Sequence, residues 1–140
     1  MKAIGAILVV LALVAGIVPL VTQCQAQGRA PLALANGGTV PMKCHWTAQA
    51  SLVAAVPLLF VGGVTVFSKR KETRRALAGI GMLLGAAMIS LPTWLIGVCA
   101  KQDMLCNSVM RPTLILTGGI VIAASIISLV LSERSKEHVE

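Results

Sequence analysis

Residues 76–98 read ALAGIGMLLGAAMISLPTWLIGV, 23 residues in a row without Asp, Glu, Lys, Arg or His. A helix needs roughly 20 apolar residues to cross the hydrocarbon core of a bilayer. A barrel strand would instead show about 10 residues of alternating polarity. No alternation is present, and a continuous apolar run satisfies its backbone polar groups in lipid only as a helix. Three more stretches pass the same test: residues 3–22, 47–67 and 112–131, the last reading PTLILTGGIVIAASIISLVL. What remains of the 140-residue chain is two short ends and the connecting segments 23–46, 68–75 and 99–111. The sequence therefore predicts a single integral membrane domain over residues 1–140, an all-α compact bundle of four transmembrane helices. Composition agrees. The chain is 56% hydrophobic and only 12% charged, where a soluble domain carries about a quarter charged residues. That excludes an ordinary soluble domain, and it excludes disorder, which needs low hydrophobicity.

Lys and Arg set the direction. The connection at 68–75, SKRKETRR, holds Lys69, Arg70, Lys71, Arg74 and Arg75; Lys2, Arg134 and Lys136 share its side. The opposite side holds Arg29, Lys43, Lys101 and Arg111. The positive-inside rule then predicts a multi-pass protein of the cytoplasmic membrane with both termini and SKRKETRR in the cytoplasm. Segments 23–46 and 99–111 become extracytoplasmic loops. The net charge of +7 is this topology signal and calls for no nucleic acid. Trp46 and Trp94 both fall at the outer interface, where indole rings anchor. The first stretch has a second reading, since Met1-Lys2 and an apolar run also open a signal peptide. Cleavage near Val21-Thr22-Gln23-Cys24 would leave three spans.

All four cysteines, Cys24, Cys44, Cys99 and Cys106, map to the outer side. An even count in an oxidising compartment points to disulfides. Each half of the chain runs span, Cys, loop, Met-x-Cys, span, with Met42-Lys43-Cys44 in the first and Met104-Leu105-Cys106 in the second. This suggests a two-fold parallel repeat of helix hairpins. The repeat favours Cys24–Cys44 and Cys99–Cys106 disulfides, although links between the halves stay open. A second reading is a soft-metal site, because thiolate and thioether ligands suit Cu(I). Its candidate ligands are Met42, Cys44, His45, Met104 and Cys106. A third reading is thiol–disulfide exchange. The chain resembles bacterial disulfide-forming oxidases in span number and cysteine side, but it has no Cys-x-x-Cys.

Other chemistry is missing from the sequence. No catalytic residues can be assigned, and no Gly-rich phosphate loop is followed by Lys. No zinc-type cysteine pair at short spacing is present. No ionisable residue lies within a span to mark a proton relay. Gly81 with Gly85, and Gly119 with Ala123, form small-xxx-small pairs that allow close helix packing in lipid. Pro57 and Pro92 fall inside spans, where proline kinks a helix.

MKCHW at Met42–Trp46, Cys99, then MLC at Met104–Cys106 with Met110 and Pro112 give a more specific pattern. With it the chain resembles an uncharacterised domain-of-unknown-function family of small four-span prokaryotic membrane proteins with MKCH and C-x6-C outer-loop motifs. The resemblance implies no activity and carries over no catalytic residue. It implies occurrence beside genes for ABC-type exporters, and so an accessory or interaction role. The leading expectation is therefore a non-enzymatic membrane protein with a disulfide-pinned outer cap and no cofactor. Its partners would be the bilayer and transporter subunits or further copies of itself. The alternatives are an outward copper site and a membrane thiol–disulfide oxidoreductase.

Overall fold

The structure is a computed structural model that describes residues 2–68, 70–99 and 103–137, with side chains described to residue 133 in the last stretch. Lys69 and Lys101 lie outside the described residues, as do the side chains of Arg134 and Lys136. Four helices cross the molecule: α1 (Lys2–Thr22), α2 (Lys43–Phe67), α3 (Lys71–Ser90) and α4 (Arg111–Glu137). Each is part of a segment long and apolar enough to span a bilayer. They pair as two hairpins. Helix α1 packs most extensively on α2, and α3 on α4, with slighter contact from α1 to α4 and from α2 to α3.

The distribution of side chains is that of a lipid-facing bundle. Val53, Phe60, Leu83 and Leu116 stand outward, each at least 65% exposed. The interior takes small and hydroxylated residues: Ala12, Ala15, Ala48, Ser51, Thr117 and Ser125. Lipid tails offer large aliphatic side chains as good a home as the interior, so packing is won by small residues that let backbones approach. Several buried hydroxyls bond back to their own helices, whereas the buried Ser125 Oγ has no hydrogen-bond partner. Thr65 Oγ1 donates to the Val61 carbonyl at 2.6 Å, and Thr117 Oγ1 to the Thr113 carbonyl at 2.8 Å. This satisfies the hydroxyl without a partner helix.

Glycines make the closest approaches. A Cβ on Gly62 would sit 2.9 Å from Val9 Cγ2 and 3.2 Å from the Gly5 carbonyl oxygen. On the other hairpin, a Cβ on Gly85 would sit 2.9 Å from the Gly118 carbonyl oxygen, and one on Gly81 would lie 2.6 Å from Ser125 Oγ. Gly81 and Gly85 thus lie at the α3–α4 contact. The second small-residue pair, Gly119 with Ala123, does not lie at this contact. A Cβ on Gly119 would meet nothing within 4 Å, and Ala123 is exposed. The inward face of α4 carries Gly118, Val121 and Ser125 instead. A motif at i and i+4 fixes a face of a helix but not which way that face points.

The helix ends also differ from the apolar runs. Helix α2 starts at Lys43, so Cys44, His45 and Trp46 are helical and not part of a loop. Helix α3 passes at Pro92 into a π turn, Leu91–Leu95. Pro92 has no N–H to bond the preceding turn, and the Ile96 N–H reaches back to the Leu91 carbonyl at 3.2 Å. Gly97 then closes the helix with φ +78°, a left-handed conformation that glycine adopts without a steric cost. A second π turn, Cys106–Met110, leads into α4. Between α1 and α2 a small antiparallel pair forms, β1 (Leu32–Ala33) and β2 (Thr39–Val40), with Leu32 opposite Val40.

Candidate metal centre

The four cysteines come from four chain segments that end or begin at the same end of the bundle. Cys24 follows α1 by two residues, and Cys44 lies in the first turn of α2. Cys99 follows the turn at Gly97, and Cys106 opens the second π turn. Their Sγ atoms all lie within 4.8 Å of one another. Cys24 Sγ is 3.6 Å from Cys106 Sγ and 3.8 Å from Cys99 Sγ. Both partners belong to the other half of the chain. None of the four is bonded to another, and all stand as free cysteines. A disulfide requires about 2.05 Å.

Hydrogen bonds at the helix ends hold this arrangement. Thr47 Oγ1, buried on α2, donates to the Gly97 carbonyl at 2.7 Å and ties the segment leading to Cys99 onto the first hairpin. His45 Nδ1 lies 3.0 Å from Gln23 Oε1. With the proton on Nδ1, His45 donates to the amide and links the residues beside Cys44 and Cys24. The His45 ring also meets Trp46 edge-on at 5.7 Å.

Cys24, Cys44 and Cys106 are buried, at 3%, 0% and 0% exposure, and Cys99 is half-buried. Burial, followed by hydrogen bonding from Cys106, pushes the Cys24 thiol up to about 11. Burial acts the same way on Cys99 but is outweighed there by hydrogen bonds from Cys44, Cys106 and Cys24, which together hold it below the ordinary thiol value. The cluster thus stabilises one thiolate at its partly exposed corner.

Of the soft-metal candidates, the structure brings Cys44 and Cys106 together and adds Cys24 and Cys99 to them. His45 is not in that group; its Nδ1 faces Gln23. Met42 and Met104 pack at the margin of the core that contains the cysteines, and Met110 is fully buried within it. Trp46 and Trp94 are exposed, Trp94 at 92%, on this end of the bundle. The missing short-spaced cysteine pair therefore does not exclude a four-sulfur site. Short spacing matters when one loop must supply two ligands. Here four helix ends supply one each. The sequence signal for all four is their placement on one side.

Fold and site together define a four-helix, membrane-type bundle whose distinguishing chemistry is a cluster of four thiols at one end. The family model described as Domain of unknown function (DUF4418) matches residues 3–131, and the chain belongs to that family. No curated protein and no solved structure matches it.

Proposed function

We propose that this membrane protein holds one thiophilic metal ion in a four-thiolate centre at the outer end of its bundle. The observation that carries the reading is the mutual approach of four sulfurs to within 4.8 Å. Four thiolates at a Zn–S distance of 2.3 Å in a tetrahedron would stand about 3.8 Å apart. The 3.6 and 3.8 Å separations around Cys24 match that edge. A tetrahedral all-sulfur set suits Zn2+ or an iron–sulfur centre, and soft thiolates also take Cu(I). With four protein ligands no coordination position is left for substrate, so the ion is held and does not catalyse.

Purification under reducing, oxygen-free conditions with Zn2+ or Cu(I) is expected to give one ion per chain. Recovery of the freshly isolated chain with two intact disulfides and no bound ion would overturn the reading in favour of a covalently pinned cap. The Lys and Arg distribution supports placing the centre on the extracytoplasmic side. The accessory role toward an exporter is the partner reading we attach to this site. Co-purification of a transporter subunit from native membranes tests it.

A further inference from the structure

Three of the four cysteines are sealed inside the bundle, and Cys99 is not. Cys24, Cys44 and Cys106 are at most 3% exposed, and each is on a helical element or within two residues of one. Cys99 is half-buried and sits on irregular chain beyond Gly97, which is held to α2 by the Thr47 bond. A ligand-exchange reaction at a four-coordinate ion needs an approach path for the incoming group. Sealed ligands offer none, because thiol chemistry depends on access as well as on reactivity.

Resting on the metal reading above, we infer that Cys99 is the exchangeable ligand, through which the ion passes to and from a soluble thiol-bearing carrier. The carrier's first thiolate forms a new metal–sulfur bond as the Cys99 metal–sulfur bond breaks, and the released Cys99 sulfur takes up a proton. Further carrier thiolates then replace Cys24, Cys44 and Cys106 through the corner so opened, each released sulfur likewise taking up a proton. No electrons change hands. Cys24, Cys44 and Cys106 hold the ion during the first displacement, and at each later one it is bound by the carrier, so it is never free. Loading runs through the same steps in reverse. The carrier is defined by this chemistry as a small thiol or a protein with an accessible thiolate that reaches the outer end of the bundle.

The test uses the full chain in detergent, loaded with Zn2+, and reduced glutathione as the acceptor. Cys99→Ser is expected to keep one ion per chain, because three sealed ligands remain. It is expected to release the ion to glutathione roughly ten-fold faster or more, because the exposed corner is now open. Cys106→Ser is expected to lose stoichiometric binding. Equal binding and equal release in the two variants would overturn the inference while leaving the metal centre standing. A wild-type chain that binds no ion would overturn the metal reading itself. Limited alkylation of the metal-free wild type with N-ethylmaleimide needs no variant to fold. Labelling first at Cys99 supports the assignment, and labelling first at any of the other three overturns it.

Discussion

The Cys24 thiol is out of water and hydrogen-bonded among other sulfurs, and its proton is held more tightly than usual, up to about 11 against an ordinary 9.0. A group whose value is raised on folding stabilises the fold below its unfolded value and loses that contribution as pH rises through the folded one. The metal-free protein is therefore expected to melt at progressively lower temperature between pH 9.0 and about 11, and Cys24→Ala to show a shallower decline. Calorimetry in detergent across that range checks the slope. A metal ion must displace this proton, so binding releases protons and strengthens as pH rises. Titration in buffers of different ionisation heat measures the release. Cys44→Ser is expected to weaken metal affinity by more than the roughly 10–100-fold that follows loss of an outer-shell partner. A wild-type binding curve for that variant would remove Cys44 from the site.

The helices owe their fit to particular glycines. Gly62 and Gly85 each face backbone of the opposing helix within about van der Waals contact of where a Cβ would stand, and backbone has no rotamer with which to yield. Gly62→Ala and Gly85→Ala are expected to destabilise by about 1–3 kcal/mol, the usual range for overpacking. Gly63 and Gly119 are the matched controls, since a Cβ there meets nothing within 4 Å. Alanine at either is expected to be neutral or slightly stabilising, because glycine is a poor helix former. Denaturation of the four variants side by side separates packing from propensity. A loss at Gly119→Ala equal to that at Gly85→Ala would mean that the inward face of α4 is wrongly phased.

At the scale of the whole molecule, the two hairpins touch each other less than they touch themselves, and the sulfur cluster takes two residues from each. An ion bound there would therefore fasten one hairpin to the other. Stabilisation by a ligand that binds only the folded state grows with its concentration over Kd and reaches about 2.7 kcal/mol at 100 times Kd. Stripping the ion with a chelator is expected to lower the melting temperature by the corresponding amount, and returning it to restore the loss. A melting temperature indifferent to metal would show that the hairpins hold without it. The extracytoplasmic placement proposed for the site can be tested in cells. With metal removed by an impermeant chelator, a membrane-impermeant maleimide applied to intact cells is expected to label Cys99, and protection until lysis would invert the topology.

Four spans, their order and the gathering of every cysteine on one side are written in the sequence. Hydropathy and charge act over lengths comparable to a bilayer, and each stretch of about 20 residues carries its own signal. The MKCH and MLC motifs also mark the end of the molecule where the four cysteines gather. Other features depended on how the helices rotate and approach. Gly118 and not Gly119 faces α3, because a small-residue pair fits either face until a partner selects one. His45 turns to Gln23, while Cys24 and Cys99 join Cys44 and Cys106. Spacing along a chain describes ligands supplied by one loop. A site made from four helix ends exists only once the hairpins pack, and packing in lipid is decided by local shape at close range.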